Sequence, residues 1–244
     1  MGKLQVQKLT KSFGSNQVLN QLSFSIQDGE FVSILGPSGS GKSTLFNLIG
    51  GIMKPDAGSI RLNDRDITGL RGNISYMPQA PSLFPWRTVL QNVLLGEEIA
   101  NGKADEEEAR AMIMKAGLQG YEHAYPHELS GGMKQRVSFL RSMKSPQSLI
   151  CLDEPFSALD EFTRAEMQKW LLSIWDQHRR SVLFVTHNIE EALFLSDRII
   201  VLSQKPAAIK KELVIPFARP REEELVLSNT FLDYKTQLYY ELRE

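Results

Sequence analysis

The chain has only one cysteine, Cys151. An intrachain disulfide is therefore impossible, and a reducing compartment suits the chain. No apolar run approaches the ~18–20 residues needed to cross a bilayer, so a role at a membrane requires another chain to do the spanning. Met1-Gly2-Lys3-Leu4-Gln5-Val6 lacks the apolar core of a signal peptide. Neither sign of charge is in excess: 28 basic against 29 acidic side chains leave a net charge of -1. That balance gives no reason to expect nucleic acid as the main ligand. Internal repeats and low-complexity segments are also absent. What remains is ordinary for a globular protein, with 244 residues, 42% hydrophobic and 23% charged. This is enough for one large or two small domains with a proper core.

Residues 4–35 read as short β segments joined by turns at Gly14-Ser15-Asn16-Gln17 and Gln27-Asp28-Gly29-Glu30. Phe31-Val32-Ser33-Ile34-Leu35 is mostly apolar and stops at glycine, the pattern of a buried parallel strand. A helix is expected over residues 43–50 and one more strand near 59–62. After Pro85 the character changes, and residues 88–145 read as mainly helical, with an amphipathic stretch at 105–116. From Ser148 the alternation returns: strands at 149–152, 182–185 and 199–202, with a long helix at 161–179. The pattern is a helical insert inside a parallel α/β core, preceded by a β-rich N-terminal part. The expected boundaries are 1–87 and 146–216 for the nucleotide core, 88–145 for the insert and 217–244 for a helical tail. That tail regulates, dimerises or simply packs on the core.

Gly36-Pro37-Ser38-Gly39-Ser40-Gly41-Lys42-Ser43-Thr44 fits G-x-x-x-x-G-K-[ST]. The glycines let the backbone turn so that N–H groups converge on phosphates, and the following helix adds its positive end. Lys42 is placed to reach the β- and γ-phosphates, and the Ser43 hydroxyl to ligate Mg²⁺. Downstream, Leu149-Ile150-Cys151-Leu152 is an apolar strand that delivers Asp153 and Glu154 to its carboxyl end, where open α/β sheets bind ligands. Asp153 suits a carboxylate that holds Mg²⁺, and Glu154 a general base for the attacking water. Nothing nearby would activate Cys151, which reads as a small buried apolar residue.

Leu129-Ser130-Gly131-Gly132 lies between these two motifs. Its glycines let the backbone approach an anion, the Ser130 hydroxyl adds a donor, and a helix begins there. Phosphate loop, LSGG and Leu152-Asp153-Glu154-Pro155, in this order, resemble the ATPase subunit of an ATP-binding cassette (ABC) transporter, over residues 3 to 215. The resemblance implies a P-loop NTPase fold, with an antiparallel β subdomain and an inserted helical subdomain. It implies ATP and Mg²⁺ as ligands. It also implies a head-to-tail dimer, in which Ser130, Gly131 and Gly132 close over the γ-phosphate held by a partner subunit. Gln79 resembles the glutamine that touches Mg²⁺ or the attacking water. His187 resembles the histidine that contacts the γ-phosphate. Asp160, in Ser157-Ala158-Leu159-Asp160, resembles the loop lying across the dimer interface. Phe13 stands where the family stacks an aromatic ring on adenine, although a phenylalanine in a β segment equally suits a core. Met133 departs from the glutamine common at its position.

Several features favour an importer subunit. There are no fused spans, and the run before LSGG lacks the acidic-glycine segment usual in exporters. Pro81-Ser82-Leu83-Phe84-Pro85-Trp86-Arg87-Thr88-Val89 carries two aromatics and a leucine that suit either a groove for a partner helix or the insert's own core. Residues 83–93 are similar to the nitrate, sulfonate and taurine importers and to the thiamine-precursor importers. The resemblance implies a peripheral protein at the cytoplasmic face of the membrane. Its expected partners are a second ATPase subunit, a multi-span permease and, indirectly, an extracytoplasmic solute-binding protein. The alternative is a non-transport ABC ATPase acting as a nucleotide switch on nucleic acid or the ribosome.

Overall fold

The computed structural model describes residues 3–157 and 159–243, so Met1, Gly2, Glu244 and Ala158 of the loop before Asp160 lie outside the described residues. The N-terminal segments are long and continuous: β1 (Leu4–Phe13) and β2 (Asn16–Ile26) form an antiparallel hairpin with register shifts along β1. Bulges of this kind bend and twist a long strand pair without ending it. The alternation was therefore broken up in the sequence, although the strands are not. After β3 (Phe31–Leu35) and α1 (Lys42–Ile49), β4 (Ala57–Leu62) pairs with the other edge of β1 and β5 (Arg65–Asp66) with β4. This makes a four-stranded antiparallel sheet. Gly58 is required there. Its φ is +92°, and a Cβ would come within 2.5 Å of the Gln7 and Lys8 carbonyl oxygens.

The second sheet starts with β6 (Ser75–Met77) at one edge. The helices of the insert follow: α2 (Val89–Asn101), α3 (Glu106–Lys115) and α4 (Gly131–Lys144). Thr88 and Gln91 close a reciprocal capping box on α2, which fixes where that helix starts. The chain then runs β7 (Leu149–Asp153), α5 (Glu161–His178), β8 (Ser181–Thr186), α6 (Ile189–Leu195), β9 (Arg198–Leu202), β10 (Ile209–Val214) and α7 (Asn229–Arg243). The six-stranded order is β10-β9-β3-β8-β7-β6, parallel except for β10. Strands β3, β7 and β8 are buried throughout, as strands covered on both faces must be.

One apolar layer fills the space between the two sheets and α1, with Val6, Phe24, Ile34, Phe46 and Val185. The other joins the insert to the sheet and α5, with Val93, Phe139, Leu152, Trp175 and Phe184. Trp175 is fully buried edge-on to Phe31, its indole N–H donating to the Arg180 carbonyl at 2.6 Å. The tail packs on this core. Phe231 and Leu238 of α7 are buried, and Arg221 donates to the Phe194 carbonyl at the end of α6. No described helix is long and apolar enough to cross a membrane.

Candidate nucleotide site

Four strands, β3, β8, β7 and β6, deliver the site to their carboxyl ends. Leu35 pairs with Thr186, Asp153 with Val185 and Met77 with Leu152. The residues that follow each strand, Gly36, His187, Glu154 and Gln79, therefore emerge side by side.

The phosphate loop turns into α1 at Gly41, where φ is +104°. A Cβ there would come within 2.8 Å of Val18 and 2.9 Å of Leu19, so only glycine lets the loop close against β2. Lys42 is 6% exposed, and its Nζ donates to the Gly36 and Pro37 carbonyls at 2.8 and 2.9 Å. Burial pushes its pKa down, and the charges of Glu154 and Asp153 oppose this. The Ser40 hydroxyl is buried with no partner. A buried ammonium held only by its own loop's carbonyls, with an orphaned hydroxyl two residues away, fits a loop built around a polyanion.

Asp153 ends β7 and is 7% exposed. The Tyr76 hydroxyl of β6 donates to it at 3.3 Å. Burial raises the Asp153 pKa above the ordinary 3.8, with the Tyr76 hydrogen bond and Lys42 pulling the other way. The native chain thus holds this proton more tightly than the unfolded chain does. Stability falls as pH rises from 3.8 to the raised value, and stays lowered above it. Asp153→Asn is accordingly expected to raise the melting temperature of the nucleotide-free protein at pH 7. Calorimetry should show the gain vanishing as the pH approaches 3.8.

Glu154 has a left-handed backbone, φ +44°, rare for a non-glycine residue and costly unless its surroundings hold it. Its N–H donates to the Val185 carbonyl at 2.9 Å. Its Oε1 lies 3.1 Å from His187 Nδ1, and its Oε2 accepts from Gln79 Nε2 at 3.4 Å. The Gln79 amide also reaches the Ser157 hydroxyl at 3.2 Å. The carboxylate is mostly buried, whereas the His187 side chain is half-exposed.

The second group of residues does not join this cluster. Ser130 is exposed and caps α4, accepting from the Met133 N–H at 3.3 Å. A Cβ on Gly131 would meet nothing within 4 Å, and one on Gly132 only Thr163 at 3.7 Å and Leu159 at 3.8 Å. Neither glycine has positive φ. Unlike Gly41, these glycines satisfy no demand of their own chain. Met133 is partly buried and packs against the apolar core that includes the insert. Asp160 caps α5, accepting from the Thr163 N–H at 3.0 Å. Phe13 is 48% exposed at the end of β1 with Lys11 Nζ 5.6 Å from its ring centre, so it is not a core residue. Leu83 packs against the core, whereas Phe84 and Trp86 stand exposed with their rings 5.2 Å apart.

Cys151 is fully buried in β7, and burial pushes its thiol pKa up, in keeping with an inert apolar residue. Two contributors had no motif to announce them. Tyr76 braces Asp153, and buried Gln135 of α4 donates to the Pro155 carbonyl, tying the LSGG helix to the segment after Glu154.

A parallel sheet with a phosphate loop, a paired acid edge and a separate LSGG surface defines a P-loop ATPase cassette. The chain belongs to the ABC transporter family, whose sequence profile matches residues 19–157. It is 45% identical over 206 residues to the formylaminopyrimidine import ATP-binding protein of Halalkalibacterium halodurans, covering 83% of this chain and 80% of that protein. It is 37% identical over 229 residues to the aliphatic sulfonates import ATP-binding protein of Bacillus thuringiensis subsp. konkukian, covering 94% and 90%. Its fold matches the dimeric structure of an ATP-binding cassette in a post-hydrolysis state with ADP and phosphate. The TM-score is 0.76 and the identity 29%, over 88% of this chain and 100% of that one. The chain is an ATP-binding ATPase subunit of this family.

Proposed function

We propose that this chain energises uptake of a small anionic or heterocyclic solute through a separate membrane permease, working as a homodimer at the inner face of the membrane. Kinship to the pyrimidine and sulfonate import proteins supports the solute class. The carrying observation is Glu154, a conformationally strained carboxylate 3.1 Å from His187 and 3.4 Å from Gln79, at the mouth of the phosphate loop.

In this reading Phe13 stacks on the adenine, and the loop from Gly36 to Thr44 wraps the phosphates. Lys42 exchanges its two carbonyl partners for β- and γ-phosphate oxygens. Ser43, Asp153 and Gln79 would hold Mg²⁺, which would supply positive charge against the phosphates. Glu154 orients and accepts a proton from the attacking water, and His187 and Gln79 hold the glutamate and the γ-phosphate in register. Ser130, Gly131 and Gly132 close over the partner's γ-phosphate, which accounts for glycines that nothing in their own chain requires.

Residues 88–145 move with that closure as one unit, and the described tail, residues 217–243, braces the core. The exposed pair Phe84 and Trp86 receives a permease helix. Co-expressed with its permease, the chain is expected to sediment with membranes. Replacing Trp86 with alanine should weaken that association at least ~10-fold while leaving ATP binding unchanged, because a central aromatic anchor commonly carries ~2 kcal/mol or more. Retention of full membrane association by a Phe84→Ala, Trp86→Ala double variant would remove this surface from the interface.

A further inference from the structure

In the proposed function each chain contributes to two different ATP sites, and one ion pair, buried at Glu191 and partly exposed at Arg164, lies between the two contributions. Leu159 lies beside the LSGG surface, 3.8 Å from where a Gly132 Cβ would stand. Its carbonyl accepts from Arg164 Nη2 at 2.8 Å. The Arg164 Nε–H, buried without a hydrogen bond, lies 3.4 Å from Glu191 Oε1. Glu191 is 5% exposed, and its Oε2 accepts from the Thr186 hydroxyl at 2.6 Å. That hydroxyl in turn accepts from the Asn188 N–H at 2.9 Å. Thr186 and Asn188 flank His187. The Glu191 carboxylate thus holds the Thr186 hydroxyl, which in turn holds the Asn188 N–H on the other side of the histidine that meets Glu154.

Packing alone does not call for this arrangement. Burying the Glu191 carboxylate and partly covering the Arg164 guanidinium costs hydration that their attraction only partly offsets, and an apolar pair of similar volume would pack as well. An ion pair with bonds to a loop carbonyl on one side and a strand-end hydroxyl on the other does what an apolar pair cannot. It fixes the direction of two segments relative to each other.

We propose that Arg164 and Glu191 are positioning residues. They tie the turn at Leu159, on the surface offered to the partner's nucleotide, to Thr186 and hence to His187 in the chain's own nucleotide site. Engagement of one ATP then sets the histidine for hydrolysis of the other. The proposal rests on Glu154 and His187 acting at the γ-phosphate. Neither Arg164 nor Glu191 touches substrate, so their effect falls on turnover and not on nucleotide affinity.

The test is steady-state ATP hydrolysis by the full chain carrying Glu191→Gln, Arg164→Met, the double variant, Thr186→Val and Thr186→Ser, with melting temperatures in parallel. A displacement of about 1 Å at a catalytic group costs on the order of 100-fold. Each of Glu191→Gln, Arg164→Met and Thr186→Val is therefore expected to lower kcat by about 10- to 100-fold, with KM for ATP within about 3-fold. The double variant should lose no more than the worse single variant, because the pair acts as one unit. Thr186→Ser keeps the hydroxyl and should restore most of the rate. A normal kcat in Glu191→Gln, losses that multiply in the double variant, or losses that follow the melting temperature across the series, would each overturn the proposal. Glu154→Gln run alongside separates two failures. If it is inactive while Glu191→Gln is normal, only the coupling is wrong. If it is fully active, the reading of the hydrolytic pair fails and the coupling falls with it.

Discussion

Replacing Glu154 with glutamine is expected to reduce ATP turnover by about 10²–10⁴-fold, the usual contribution of a positioned general base, with ATP binding preserved. Glutamine keeps the volume and can still accept a hydrogen bond from Gln79. The backbone bond from residue 154 to the Val185 carbonyl at 2.9 Å is untouched. The variant loses only the ability to take a proton. Phosphate release measured against bound nucleotide separates the two effects. If, as proposed, two chains close over ATP, the variant should also accumulate as an ATP-bound dimer visible by size exclusion. Wild-type phosphate release would show that the base lies elsewhere.

Ser130→Arg is expected to cut turnover by at least ~100-fold, the order of effect seen when a donor to a reacting anion is removed. The lone chain should still bind ATP to within about 3-fold. The two results together carry the argument, since the Ser130 side chain itself bonds to none of Lys42, Asp153 or Glu154. Within its own chain Ser130 only caps α4, and losing a cap costs ~1 kcal/mol, too little to unfold a domain of this size. Ser130→Ala is the control. It loses the same cap but leaves the surface open, and should retain far more activity than the arginine. Equal losses in the two variants would point to helix fraying and away from a shared site. Impaired nucleotide binding by the lone Ser130→Arg chain would place the residue in its own site.

How readable each part was depends on how local its requirement is. The phosphate loop could be read directly because its chemistry resides in nine consecutive residues. Gly41 must take a left-handed φ, Lys42 must follow it, and a strand and a helix must flank them. The acid edge was readable for the same reason, as an apolar strand followed at once by Asp153 and Glu154. Met133 could be marked as a departure, but only packing shows that its side chain lies against the apolar core that includes the insert. Strands β6 and β10 went unseen. The first has three residues; the second is an edge strand whose lysines and glutamate read as surface. The tail's composition was compatible with several roles, and burial of Phe231 and Leu238 shows that it packs.

By itself, then, the sequence determined the class of protein, and it marked the phosphate loop, the two carboxylates and the LSGG segment. Each of these is a demand on backbone conformation or residue type met within a few consecutive positions, so no folding was needed to see it. Only the tertiary structure decided which partners act together. Tyr76 and Asp153 are 77 residues apart, yet neighbouring strands place them in contact. The chain from Leu159 through Arg164 and Glu191 to Thr186 depends on how α5 and α6 pack, and no periodicity or spacing encodes that. The bareness of Gly131 and Gly132 is likewise a property of the folded surface. Glycine in a sequence signals that something can come close, and only the surrounding atoms show that at Gly131 nothing in its own chain does.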